Sequence, residues 1–100
     1  MHMTLGTTLK IKGRIGNEAD RIEINLGQRA DKLNLHFNPR FTESTIVCNS
    51  KDGGWGEEQQ TDLHRFGPGS EVKFKITYET DQFTVKLPDG DKLTFPNRLG

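Results

Sequence analysis

Apolar residues occupy every second position through most of this chain, and that period of two is what most limits how it can fold. Leu9, Ile11 and Ile15 alternate with Lys10, Lys12 and Arg14, with Gly13 interrupting the apolar row. Ile22, Ile24 and Leu26 alternate with Arg21, Glu23 and Asn25. Leu33, Leu35, Phe37 and Phe41 alternate with Asn34, His36, Asn38 and Arg40. The pattern returns in Val72, Phe74, Ile76 and Tyr78, then in Phe83, Val85 and Leu87, and last in Leu93 and Phe95. Successive side chains of a strand point to opposite faces, so each run predicts a half-buried strand. No stretch repeats its apolar residues at the 3.6-residue spacing of a helix.

Turn-forming residues separate these runs: Gly16-Asn17, Asp52-Gly53-Gly54, Gly67-Pro68-Gly69 and Pro88-Asp89-Gly90. The last lies between QFTVKL and KLTF and predicts a tight hairpin. About eight short antiparallel strands, each with one polar face, close most naturally as two packed sheets. With 100 residues, 31% of them hydrophobic, and a mean hydropathy of −0.74, the core must be thin. We read residues 1–100 as a single all-β domain, a two-sheet antiparallel sandwich. No internal repeat, low-complexity segment or linker divides it.

Composition excludes several functions. No apolar run approaches the roughly 18 residues of a membrane span, so no membrane insertion is expected. The start, MHMTLGTTLKIKG, lacks the apolar stretch of a secretory signal. Fourteen Lys and Arg balance fourteen Asp and Glu, with both signs interspersed and a pI near 6.8. That distribution offers no basic stripe, so nucleic acid and anionic membrane are not expected partners. The single cysteine, Cys48, excludes an internal disulfide. It suits a reducing compartment, or a protein that leaves the cytoplasm without a signal peptide and outside the oxidising pathway. No N-x-S/T acceptor site occurs, in keeping with that localisation.

One polar face stands out. His36, Asn38 and Arg40 share a face of one strand at intervals of roughly 6.5–7 Å, a row of donors and acceptors about as long as a sugar ring. In the next strand, TIVCNS, Ile46 and Cys48 point inward while Thr45, Val47 and Asn49 point outward, which brings Asn49 near the row. Pro39 has no amide donor, so a bulge or a locally open ladder is expected beside Arg40. The only tryptophan, Trp55, lies between Gly54 and Gly56, which leave its ring little cover. A neutral sugar needs directional partners for its hydroxyls and a flat apolar surface for its C–H face, and this set offers both. Glu58 is placed to accept from a hydroxyl and to hold the Arg40 guanidinium. By alternation alone such a row equally fits a plain solvated face, and Trp55 a core position.

Catalysis finds little support. The three histidines and Cys48 stand at no metal-ligand spacing, and no cofactor motif occurs. A glycosidase needs two carboxylates across the bond, and this face supplies at most one. Cys48 faces inward and His36 outward, against a nucleophilic pair. A binding module is favoured over an enzyme.

The sequence resembles the galectins, the β-galactoside-binding lectins. HFNPR at 36–40, VCN at 47–49 and WGEE at 55–58 match that family's signature in order and spacing. LPDG at 87–90 and FPNR at 95–98 resemble its prototype, single-domain subgroup. The similarity covers nearly all of residues 5–100. The resemblance implies a jelly-roll-like sandwich in which His36, Asn38 and Arg40 hydrogen-bond the axial 4-hydroxyl of galactose. It also implies that Asn49 and Glu58 take the 6-hydroxyl and that Trp55 stacks on the ring. Arg40 and Glu58 would reach the neighbouring glucose or N-acetylglucosamine, and no metal or other cofactor is implied. Such a site rejects glucose by leaving its polar groups unpaired.

Three departures from the family pattern matter. Gln60 stands where the family usually has Arg, which takes a cation from beside Glu58 and predicts weaker hold on the second sugar. The loop between Phe41 and Ile46 is short, which alters the extended glycans that fit. The chain looks shortened at both ends, so that terminal edge strands are expected to be missing and a monomer is expected over a dimer. The expected partners are β-galactoside glycans on glycoproteins or glycolipids. The competing reading is a galectin-fold interaction or structural module with little sugar affinity.

Overall fold

The computed structural model describes residues 5–63 and 66–99. Among these, nine strands form and no helix: β1 (Thr8–Arg14), β2 (Ile24–Arg29), β3 (Lys32–Arg40), β4 (Thr45–Asp52), β5 (Gly54–Trp55), β6 (Gln59–Asp62), β7 (Glu71–Tyr78), β8 (Gln82–Lys86) and β9 (Lys92–Pro96). They build two antiparallel sheets. One runs β1-β7-β8-β9; the other runs β2-β3-β4, with both β5 and β6 pairing along β4. The alternation therefore finds its strands, and adds two short ones where WGEEQQ folds back on β4. The β8–β9 hairpin forms as expected, and Gly90 at its turn has φ +92°, which only glycine adopts without strain.

The core lies between the sheets. Leu35, Phe37, Ile46 and Cys48 from one meet Phe74, Ile76, Phe83, Val85 and Phe95 from the other. Phe37 and Phe74 touch edge to face at 5.3 Å between ring centres, tying β3 to β7 across the sandwich. Burying each such ring contributes about 1.5–3 kcal/mol, as does each buried Leu, Ile or Val beside it, so the hold of this thin core is shared between the phenylalanines and the aliphatic side chains. Because Phe37 anchors β3 from beneath, its neighbours His36 and Asn38 are turned to the outer face.

The inward row fails at Leu33. Leu33 pairs with Lys51 and His36 with Asn49, three steps along β3 against two along β4. The extra residue of this bulge reverses the alternation, so Leu33 leaves the core and lines an outer cleft with His36 and Trp55. Gly27 of β2 makes room for the distortion. A Cβ there would stand 2.3 Å from the Lys32 carbonyl oxygen and 2.7 Å from the Leu33 Cα.

Charge that is interspersed along the sequence is not interspersed in space. Lys10, Lys75, Lys86 and Lys92 stand directly opposite one another on β1, β7, β8 and β9. The outer face of the four-stranded sheet thus carries the basic stripe that reading along the chain had excluded.

Candidate functional site

Pro39 organises the centre of the candidate site. Arg21 and Arg40 form an isolated bridge, so Ile22 and Pro39 are the next pair and should exchange two backbone hydrogen bonds. The Ile22 amide does donate to the Pro39 carbonyl, at 3.1 Å. Pro39 has no N–H to return, and the Ile22 carbonyl would be left without a partner. Asn38 fills the gap: its Nδ2 donates to the Ile22 carbonyl at 2.9 Å. The ladder opens on the β2 side alone, since pairing with β4 runs unbroken through Pro39. With its amide nitrogen held, Asn38 turns Oδ1 towards Arg40, whose Nε donates to it at 2.8 Å. One missing amide thus fixes two side chains. Asn38 is almost wholly buried, while Arg40 keeps part of its guanidinium open to solvent.

His36 is fixed from the other side. Its Nδ1 lies 2.5 Å from Asn25 Oδ1. An amide oxygen cannot donate, so Nδ1 carries the proton and Nε2 is left as an acceptor. Glu23 Oε1 is 3.7 Å from that Nε2, beyond hydrogen-bond reach. Burial lowers the His36 pKa below its ordinary 6.5 against the opposing pull of Glu23, with Arg40, Arg21 and Lys51 adding to the lowering. The ring is therefore neutral at neutral pH.

Trp55 is exposed, at 53% of its surface, and its ring lies 4.7 Å from that of His36 at a 55° tilt. Lys51, its partner in the β4–β5 ladder, reaches over the ring with Nζ 4.9 Å from the centre. The core placement of Trp55 is thus not the one adopted. Val47 and Asn49 do face outward from β4, as alternation requires, yet both are buried by their neighbours on the sheet.

Asn49 is paired opposite His36. Its Nδ2 donates to the Gly56 carbonyl at 3.1 Å, which ties β4 to the end of the tryptophan strand. Its Oδ1 accepts from the Ser50 amide at 2.8 Å and lies 3.5 Å from an Arg98 guanidinium nitrogen. That nitrogen also reaches Ser50 Oγ at 3.2 Å, and the guanidinium stacks over Phe95, 4.7 Å from the ring centre. Arg98 is a supporting residue that local pattern did not single out. Its signal was the FPNR segment, where an arginine follows a core phenylalanine by three residues.

Glu58 and Arg40 do not pair. Arg40 meets Glu43 at 3.4 Å, and Glu58 accepts from Gln60 Nε2 at 2.6 Å. In place of the expected Arg40–Glu58 contact, each has a partner close in sequence: Glu43 for Arg40, and for Glu58 the amide of Gln60 on the adjoining strand β6. Gln60 in turn sits across β4 from Asn38, both being paired with Val47, so all six candidate residues gather on one sheet face. Among the described residues no group of His, Cys, Asp and Glu can hold a metal ion; His2 and His64 lie outside the described residues. Burial pushes the Cys48 thiol up to about 12, which leaves it unreactive.

A flat aromatic beside a row of fixed donors and acceptors, on a sheet with this strand order, meets its match in known proteins. Residues 1–100 match the family model for galactoside-binding lectins. The chain belongs to the galectins. It is 66% identical to human Galectin-2 over 101 residues, covering all of this chain and 76% of that protein. The crystal structure of chicken Galectin 2 superposes with a TM-score of 0.90 at 47% identity, covering 96% of this galectin and 76% of the chicken chain. A toad ovary galectin, solved in complex with thio-digalactose, gives a TM-score of 0.91 at 37% identity, covering 96% of this chain and 75% of that one. These likenesses place the galectin in the prototype group and make it a sugar-binding lectin, not an enzyme.

Proposed function

We propose that this galectin binds β-galactosides such as lactose and N-acetyllactosamine reversibly, through His36, Asn38, Arg40, Asn49, Trp55 and Glu58. The observation that carries the reading is the exposed Trp55 ring set against His36, beside side chains already fixed by internal hydrogen bonds. A pyranose seated on Trp55 brings its hydroxyls over that row. His36 Nε2 is the acceptor, and the Arg40 nitrogens not used by Asn38 are donors, for one hydroxyl standing up from the ring. Convergence on a single hydroxyl discriminates epimers, because the wrong one leaves buried polar groups unsatisfied. Little reorganisation is needed on binding, which favours affinity. The toad ovary galectin's complex with thio-digalactose supports the same ligand class.

The glycans reached are those displayed on glycoproteins or glycolipids. The protein works both in the cytoplasm and outside the cell. The decisive measurement is a lactose titration followed by Trp55 fluorescence, with glucose as the control sugar. Lactose should change the emission and glucose should not, and Trp55→Ala should lose retention on lactosyl-agarose. A native protein that passes straight through lactosyl-agarose would favour the interaction-module reading instead.

A further inference from the structure

The galactoside reading uses one sheet; the outer face of the other is also a built surface. Lys10, Lys75, Lys86 and Lys92 form one continuous cross-strand row. At 4.7–4.9 Å between strands the row spans roughly 14 Å. Lys12 and Lys73, paired with each other, add two more ammonium groups one step along the same face. Thr8, Thr77, Thr84 and Thr94 form a parallel row of hydroxyls on the other side of the lysines. Among the described residues none of these six lysines has a carboxylate within ion-pair distance; the ion pairs present are Arg29–Asp31 and Arg40–Glu43. The acids nearest the hydroxyl row lie at its margin, where Glu79 accepts from the Thr84 hydroxyl at 2.5 Å. Crowding is felt within the row: Lys73, Lys86 and Lys10 together lower the pKa of Lys75.

Like charges directly opposite on neighbouring strands destabilise a sheet. Lysines on edge strands are a common guard against aggregation. That accounts for Lys10 and Lys92, but Lys75 and Lys86 stand on the inner strands β7 and β8, which have no free edge. The chain as a whole carries no net charge, so this concentration is local.

We propose that this face binds a linear sulfated glycan, a polyanion distinct from the neutral galactoside and seated on the opposite sheet. Charge complementarity selects a polyanion, and the flanking hydroxyl row suits a partner that carries hydroxyls between its charges. A single-stranded nucleic acid needs aromatic platforms for its bases. The aromatic residues of these strands, Phe74, Tyr78, Phe83 and Phe95, pack inward. A membrane surface would be favoured by an apolar side chain among the lysines, and the face has none. The two sites being on opposite faces, one molecule can hold both ligands together.

The test uses immobilised heparin with a salt gradient, in the presence and absence of lactose. Native protein should be retained at low salt, elute as salt rises, and ignore lactose. Lys75→Gln/Lys86→Gln should bind a labelled heparin fragment roughly 30-fold more weakly, at the usual contribution of a lysine to an anionic surface. Lys32→Gln, outside the stripe, should bind as the native protein does. Retention of the double variant on lactosyl-agarose shows that it folds and keeps the two sites separable. If it fails there, Lys10→Gln/Lys92→Gln, on the edge strands, puts the same question to the same stripe. Failure of native protein to bind heparin, binding unchanged in the folded stripe variant, elution by lactose, or equal binding to single-stranded DNA or phosphatidylserine vesicles would each overturn the proposal.

Discussion

Replacing Pro39 by alanine should weaken sugar binding while leaving the fold nearly untouched. The substitution returns an N–H opposite the Ile22 carbonyl, so the backbone can complete the pair that Asn38 Nδ2 now completes at 2.9 Å. One hydrogen bond of about 0.5–1.5 kcal/mol net replaces another of the same kind, which largely cancels. Loss of the ring's restriction on the unfolded chain costs a further 0.4–1 kcal/mol or so, and stability should fall by about that much. Binding has no such cancellation. Asn38, no longer held, stops presenting Oδ1 to Arg40 Nε at 2.8 Å, and both side chains must be ordered by the sugar. Immobilising each costs about 0.5–1.5 kcal/mol, about 1–3 kcal/mol for the two, so lactose affinity should drop roughly 5- to 150-fold. Calorimetric titration gives the affinity and urea unfolding gives the stability. An affinity within twofold of native would refute the coupling. So would a stability loss beyond about 2 kcal/mol, because the weakening would then be one of folding.

Acid should weaken both folding and binding. The unfolded chain protonates His36 near its ordinary 6.5 and the folded chain only at lower pH, because burial disfavours the cation. Between those points the unfolded state holds more protons, so this stability term is intact above 6.5 and is lost as pH falls through the lower, folded value. Lactose affinity should fall only as pH drops through the lower, folded value, where protonation removes the Nε2 acceptor; an affinity that stays level while the His36 imidazole titrates by NMR would contradict the assigned tautomer. Gln60→Arg should trade the 2.6 Å amide–carboxylate contact with Glu58 for an ion pair and raise lactose affinity about 2- to 5-fold, with free galactose little changed. No gain for the disaccharide would dismiss Gln60 as the weak point. Gly27→Ala forces a methyl against the Lys32 carbonyl and should cost about 1–3 kcal/mol in thermal or urea unfolding, the usual range for overpacking. A neutral result would mean that β2 can shift away from the β3 bulge.

Much of the fold was legible because alternation is a local property. Phe37 inward fixes His36 and Asn38 outward, and no knowledge of partners is required. The bulge escaped because it depends on where β3 lies against β2 and β4, and Leu33 is displaced by one extra residue that leaves no mark on the pattern. Pairing across long sequence separations hid two further features. Arg98 reaches Asn49 from 49 residues along the chain, and the lysine stripe exists only once β1, β7, β8 and β9 are in register. The site residues themselves were readable as an outward row, but what fixes them was not. Pro39 predicted an open ladder; which side opens, and that Asn38 closes it, follows from the bridge between Arg21 and Arg40.

Cys48 sits directly behind this surface, paired with Phe37 on one side and Gln59 on the other. Its buried, protonated thiol cannot meet an alkylating reagent while the β3–β4–β6 pairing stands. Each labelling event therefore records one excursion in which those strands part, and the labelling rate is a clock for the breathing of that sheet. Lactose, if it clasps the outer face, should slow the clock in proportion to its occupancy, giving a kinetic measure of binding that needs no optical signal.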